Sequence, residues 1–432
     1  MRKIYSILMV ATVVLTGCTD NETLSLNNLQ EAAEVSEKRS YEEALQIAQS
    51  SIAMIEEDEI TTRSARTGRT IDLQKTKVVK SEATRAGGVQ DTLFYVFNFA
   101  DDQGFAVVSA NAATEGLIAV TEEANYDDCL EINNGFADYM KMAETYMSVP
   151  KRAKPRIPFV STDTLDIISR GPYLTVRWGQ DFPEGVFFQN GCAGCVNVAI
   201  LQILSYFSYP TQITLSYNNA DSVSVDLEWS NMKAHKQSYS YLVENDCSVN
   251  YLNAHSDIAH LCRQIGKMTN SVCKPTGVNY NYDLTNYEYH SSSSTESSLY
   301  NARNALMNLD YSIGNTNSYY SECTRNSLNQ QRLIFMCGTD TATTQTTAHA
   351  WVVDGYRKYY LRTTTYATAP PSVINSTKYY NHINWGWNGI GNGYFLDQVF
   401  APRKAAPFDK SNLIYLLNDN FNYDVRYYEV YR

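Results

Sequence analysis

The chain has 432 residues, 19% of them charged and 44% hydrophobic, a composition that sustains a globular core of two or three domains. A net charge of -11 and a pI near 5.1 argue against nucleic acid as a partner, and no basic amphipathic helix or long basic tract offsets them. No solenoid period is visible, and 33 tyrosines, gathered with Asn and Ser in the second half, suit a β-rich, polar-surfaced region or a binding surface.

At the start, Arg2 and Lys3 precede an apolar run from Ile4 to Leu15 that is too short to span a bilayer and is built as a signal peptide, residues 1–17. Its ending, "LTGC", resembles a bacterial lipobox, which implies cleavage before Cys18 and a lipid on that cysteine. The expectation is an exported bacterial lipoprotein at the outer membrane or cell surface, with residues 18–39 as a polar tether. The pair Ser40 and Glu43 is a capping-box pattern that opens a helix through about Ile55. A Thr/Arg/Lys-rich loop from Thr61 to about Ala86 follows, then strand-like runs "DTLFYVFNF", "GFAVVSA" and "GLIAV", and a helix from Gly135 to Met147. Residues 40–150 thus read as a small α+β domain. Between Pro150 and Arg170, four basic residues and three prolines read as an exposed linker open to proteases, residues 151–170.

The second domain, 171–432, is predicted to be helical around 196–206 and 256–267, to loop at "SSSSTESS", and to be strand-rich from Arg332. In "NGCAGCVNVAILQILSYF", apolar residues at 196, 199, 200, 203, 204 and 207 keep helical spacing, so Cys195 stands where this helix begins. The unpaired amides and dipole at that end favour a thiolate, and Gly194 lets the chain turn just before it. A buried structural cysteine, or half of a disulfide, is the plainer alternative, and position alone does not separate the two. Apart from Cys18 the cysteines are Cys129, Cys192, Cys195, Cys247, Cys262, Cys273, Cys323 and Cys337, too scattered for a disulfide scaffold, although one or two bridges stay open. No second C-x-x-C and no histidine at ligand spacing accompany them, so neither a metal nor a cofactor is expected.

A nucleophilic cysteine needs a base, a group that orients the base, and donors for an oxyanion. Of six histidines, His235, His255, His260 and His290 lie in polar or helical stretches and read as solvated surface. His349 in "AHAWVVDGY" precedes a strand-like run, and His382 in "NHINWGWNG" lies on a short strand ending in a Gly-rich turn. His349 follows Cys195 by 154 residues and Asn384 follows by a further 35, the Cys, His, Asn order of papain-like enzymes. In that arrangement Asn384 would accept the imidazole N–H and Trp385 would cover the bond.

With these residues in place the chain resembles the streptopain-like family of papain-fold cysteine peptidases. "GPYLTVRWGQ" is similar to the family's mature start, with Gln180 at the oxyanion glutamine. "AGCVNVAILQILSYFSYP" is similar to the nucleophile segment through Cys195, Ala199, Gln202, Tyr206, Tyr209 and Pro210, and "LFYVFNFADDQGFAVVSANAATEGLIAVTEE" resembles the inhibitory prodomain. Two departures, "DFPEG" after Gln180 and Asn197-Val198 after the cysteine, bear on substrate range. The resemblance implies an α+β papain-like fold, a helical half plus an antiparallel barrel-like half, preceded by the prodomain. It also implies a cysteine endopeptidase made as a zymogen, working through a thioester on Cys195 with His349 as base, on protein or peptide substrates. The chain is expected to be a monomer that meets the membrane only through the lipid on Cys18. Two rivals are a thiol-disulfide oxidoreductase using Cys192 and Cys195 and a non-catalytic surface binding lipoprotein on the same scaffold; an amidase or transpeptidase would share the site.

Overall fold

Ser40 and Glu43 close the capping box that their spacing predicts: the Ser40 N–H donates to Glu43 Oε2 at 3.1 Å and the Glu43 N–H to Ser40 Oγ at 3.2 Å. They open α1 (Tyr41–Thr61) in a computed structural model that describes residues 38–61, 68–81, 90–112, 114–148, 160–217, 221–234, 249–274, 294–340, 348–365, 372–400 and 423–432. Cys18, the signal peptide, the tether up to residue 37, Cys247, His235 and His290 lie outside these residues. After α1 come β1 (Ile71–Lys80), β2 (Thr92–Phe99), β3 (Phe105–Ser109) and β4 (Leu117–Thr121). The last three are the predicted runs. β1 falls where a loop was expected, because an edge strand with a single partner, β2, leaves most of its side chains exposed and shows no apolar alternation. Next, Asn125 caps α2 (Tyr126–Ile132) by accepting the amides of Asp127 and Asp128, and α3 (Asn134–Ser148) follows.

Half of the segment read as linker is strand. β5 (Val160–Arg170) runs antiparallel to one half of β13 (Ala348–Thr365), from Val160 opposite Thr365 to Arg170 opposite Tyr356, with side chains 162–167 exposed. Between them come α4 (Cys195–Phe207), the hairpin β6 (Gln212–Tyr217) and β7 (Asp221–Asp226), then α5 (Trp229–Ala234) and α6 (Val249–Met268). A short ladder of β8 (Val272–Lys274) with β9 (Ser294–Glu296) takes up part of the Ser/Thr-rich stretch expected to loop, and α7 (Leu299–Asn308), β10 (Ser312–Ile313), β11 (Asn317–Ser318), α8 (Arg325–Asn329) and β12 (Leu333–Asp340) follow. The chain ends with β14 (Ser372–Asn384), β15 (Gly393–Leu396) and β16 (Tyr423–Tyr431).

A single sheet, ordered β1-β2-β3-β4-β15-β14-β13-β12-β16-β10, joins the two halves. The seam is β4 against β15, where Ala119, Val120 and Thr121 oppose Phe395, Tyr394 and Gly393. One core is therefore common to both: Phe105, Phe136 and Tyr139 pack with Trp385, Phe395 and Phe400. A second core lies between the helices and the other end of the sheet, with α4 at its centre. Ten of the 13 residues of α4 are buried, so its polar members Asn197, Gln202 and Ser205 are interior groups that need partners. This is the α+β architecture, helices on one side and an antiparallel sheet on the other, that the sequence predicts.

Candidate active site

The loop before α4 is held from two sides. Thr295 Oγ1 on β9 donates to the Cys192 carbonyl at 2.6 Å, and the Ala193 amide donates to the Gln180 carbonyl at 2.7 Å. Gly194 has φ +87°, and a Cβ there would lie 2.5 Å from the Thr295 carbonyl oxygen, so both the turn and the close approach require glycine. Cys195 then begins the helix, half-buried, with the amides of Ala350 and Val196 directed at its sulfur. Burial nevertheless pushes the thiol up from its ordinary pKa, the amides only partly offsetting it. The thiolate expected from the helix end is thus not the resting form here: desolvation outweighs the dipole.

His349 sits on β13 beside Ala350, buried among the rings of Trp351, Trp385 and Trp387, each centred 6.2 Å away. Its Nε2 donates to the main-chain carbonyl of Trp385 at 3.0 Å. That bond leaves the lone pair on Nδ1, the tautomer a general base needs. Burial brings its pKa down to about 4, against a small opposing effect of the carbonyl. Among the described residues no hydrogen bond joins it to Cys195, whose sulfur is met instead by the amide of the next residue, Ala350.

Asn384 does not orient this ring. Its Oδ1 accepts from Gln202 Nε2 at 2.8 Å and from the Gly386 amide at 3.2 Å, and its Nδ2 donates to the Val176 carbonyl at 2.9 Å. Both ends of the amide are occupied, and the acceptor for His349 is the next residue's backbone. Trp385 therefore serves through its carbonyl as well as its ring, tilted 34° to the imidazole. Gln180 is buried, and its Oε1 accepts from the Cys192 thiol at 3.5 Å. Burial pushes Cys192 up to about 12, which keeps it a donor.

His382, the other histidine with strand context, is engaged elsewhere. Its Nδ1 meets Asp354 Oδ1 at 2.6 Å and its Nε2 meets Glu122 Oε1 at 3.0 Å, and donation to two carboxylates makes the ring an imidazolium. Burial opposes that charge, yet Asp354 and Glu122 raise its pKa to about 10. Glu122 is likewise buried, but Arg177, with its guanidinium 2.9 Å away, and His382 bring its carboxyl down to about 2. A ring that is cationic at neutral pH cannot accept a thiol proton. His255, expected on the surface, is instead buried with its ring 4.9 Å from Phe182, whereas His260 bonds Ser256 on its own helix.

The N-terminal half reaches the site through α3. A Cβ on Gly135 would lie 2.3 Å from His349 Cδ2 and 2.6 Å from Trp385 Cε3, so this glycine lets the helix start rest directly on the imidazole. Asn133 Nδ2 donates to the Ile390 carbonyl at 2.8 Å and the Glu122 amide to the Asn392 carbonyl at 2.9 Å, fixing the same segment to the loop after Trp385. Sequence reasoning missed Gly135, Glu122, Asp354 and the Trp385 carbonyl; a glycine as the first residue of the predicted helix was the one visible signal, since glycine is a poor helix former.

A helix-borne thiol beside a strand-borne imidazole, on this sheet, places the protein among the papain-like cysteine peptidases. Comparison with known proteins narrows the class: the peptidase C10 family profile matches residues 176–395, and the chain belongs to that family. The profile of the Spi protease inhibitor matches residues 32–147, the part that lays α3 on His349. The protein is thus a cysteine peptidase made as a zymogen. Among solved structures, a prointerpain A fragment from Prevotella intermedia is similar with a TM-score of 0.48 and 19% identity, over 84% of this chain and 98% of that one. Active interpain A cysteine protease from the same organism gives a TM-score of 0.34 and 20% identity, over 61% and 94%. The comparison with curated proteins gives no match.

Proposed function

We propose that the protein is a cysteine endopeptidase whose nucleophile is Cys195, whose base is His349 oriented by the Trp385 carbonyl, and whose oxyanion donors are the Cys195 amide and Gln180. The observation that carries this reading is the His349 geometry. Its Nε2–H is fixed on a carbonyl, its Nδ1 holds the lone pair, and Gly135 covers the ring. Removal of α3 frees the imidazole to approach the thiol. The Cys195 proton then passes to Nδ1, the sulfur attacks the scissile carbonyl carbon, and the oxyanion is held by the two donors. The imidazolium returns the proton to the leaving amine as the C–N bond breaks. Water, deprotonated by His349, opens the thioester and regenerates the thiol.

Export with a lipid on Cys18 would hold the chain at the outer membrane or cell surface as a monomer, acting on protein or peptide substrates, with the activating cut within residues 151–170, between inhibitory residues 40–150 and catalytic residues 171–432. No described helix is long and apolar enough to cross a membrane. Labelled palmitate should enter the wild-type chain and not Cys18→Ala. The oxidoreductase reading loses ground because Cys192, its attacking thiol, is buried, bonded to Gln180 and pushed up to about 12. The test is hydrolysis of an internally quenched peptide blocked at both ends: Cys195→Ala should abolish it and Cys192→Ala should leave most of it. Loss with Cys192→Ala alone would return the pair to redox chemistry.

A further inference from the structure

Gln202 lies on α4 two turns beyond Cys195, on nearly the same face of the helix, and is fully buried. Its Nε2 carries two hydrogens, and each has an acceptor. Asn384 Oδ1 stands 2.8 Å away and the main-chain carbonyl of Trp178 3.2 Å away. Asn384 immediately precedes Trp385, whose carbonyl holds His349, and Trp178 is two residues before Gln180. We propose that Gln202 is a positioning residue for the peptidase site, its one amide fixing the nucleophile helix against both the strand end that orients His349 and the segment that bears Gln180.

The assignment rests on the roles given above to Cys195, His349 and Gln180. Packing alone would not choose an amide here. The Oε1 of Gln202 is buried with no donor among the described residues, a cost that an apolar residue of the same length would avoid. What the amide supplies is a two-armed donor at the junction of three segments that meet only in the folded chain. Through Asn384 the tie continues: its Nδ2 donates to the Val176 carbonyl at 2.9 Å, which fastens the strand end to the same segment a second time. Catalytic groups work within a narrow tolerance, and a displacement of about 1 Å is enough to lower turnover by roughly 100-fold.

Gln202→Met keeps the volume and removes both donors. In the full-length chain after linker cleavage, assayed on a fluorogenic peptide, kcat should fall roughly 10- to 100-fold while KM stays within about 2-fold, the pattern of misplaced reacting groups and not of weakened substrate binding. The pH profile of Cys195 alkylation by iodoacetamide should move to higher pH, because an imidazole held less well stabilises the thiolate less. A merely structural role would move neither the profile nor the kcat-to-KM split, only the folded fraction. Folded Gln202→Met with kcat within about 2-fold of wild type overturns the proposal, as does a loss that follows the unfolded fraction with an unmoved profile. Gln202→Asn, which keeps an amide but withdraws it by one methylene, takes its place where the methionine variant does not fold, with the same expected split and the same overturning results. Cys195→Ala in the same assay separates the two levels: activity retained there removes the site assignment itself, whereas loss there beside an intact Gln202→Met removes only the role of Gln202.

Discussion

Replacing Gly135 by alanine sets two effects against each other. In the precursor the new Cβ would meet His349 Cδ2 at 2.3 Å and Trp385 Cε3 at 2.6 Å, whereas carbon atoms rest at about 3.5–4.0 Å, so α3 or the ring must move by more than about 1 Å. The imidazole cannot yield freely, being enclosed by Trp351, Trp385 and Trp387 and bonded to a carbonyl. Overpacking of this kind costs about 1–3 kcal/mol, which corresponds to a loosening of the covering segment by roughly 5- to 150-fold. Helix propensity acts the other way, since alanine in place of glycine favours the helix by up to about 1 kcal/mol. The assay is the initial rate of peptide hydrolysis by uncut full-length chain, with gels confirming that the linker is whole. Subtracting the helix gain from the middle of the overpacking range, about 2 less about 1 kcal/mol, predicts a rate about 5-fold above wild type. An unchanged or lower rate would show that Gly135 acts only through its helix and would refute the account of how the site is covered.

Glu122→Gln leaves the His382 and Arg177 cations facing a neutral amide across the seam of the two halves, and hydrogen exchange at the β4–β15 amides should quicken by 10-fold or more, about 1.4 kcal/mol, while β12 stays protected. His349 is held neutral, with a folded pKa of about 4 against 6.5 in the unfolded chain, so its share of precursor stability is whole above pH 6.5 and is lost as pH falls toward 4. At pH 5 the loss is about 2 kcal/mol, to be read from urea melts of Cys195→Ala precursor. For His382 the sign is reversed: its folded pKa of about 10 makes its contribution whole below pH 6.5 and lost as pH rises toward 10, so stability should also decline on the alkaline side. Asn384→Ala should cost about 1–3 kcal/mol for each buried partner left unpaired, the Val176 carbonyl and the Gly386 amide among them, and should lower kcat through the displaced Trp385 carbonyl.

Local pattern made much of this molecule legible. Helical spacing marked α4 and α6, the capping box marked α1, and short continuous apolar runs marked β2 to β4, of which β3 and β4 are buried at every residue. β1 and β5 were not legible as strands: their side chains are largely exposed, and pairing with β2 or β13 is a property of the partner's edge. At the proposed site, Cys195, His349 and Gln180 were open to proposal from the sequence because side-chain identity carries the chemistry assigned to them. The orienting carbonyl could not, since every residue has one, and Asn384, which has the right side chain at the right spacing, spends it on Gln202 and Val176. The carboxylate pair around His382 was hidden for another reason: Glu122 and Asp354 lie 260 and 28 residues away in sequence and meet the ring only across the joined sheet.

The central claim is that one thiol does the chemistry and that the N-terminal half keeps it silent. A peptidyl electrophile, applied to uncut chain and to chain cleaved between residues 151 and 170, with the adduct located by mass spectrometry, tests both parts at once. The expected result is an adduct on Cys195 that forms rapidly only after cleavage and the departure of α3 from His349. An adduct on Cys192, or labelling of Cys195 as fast in the uncut chain as in the cleaved one, would contradict it.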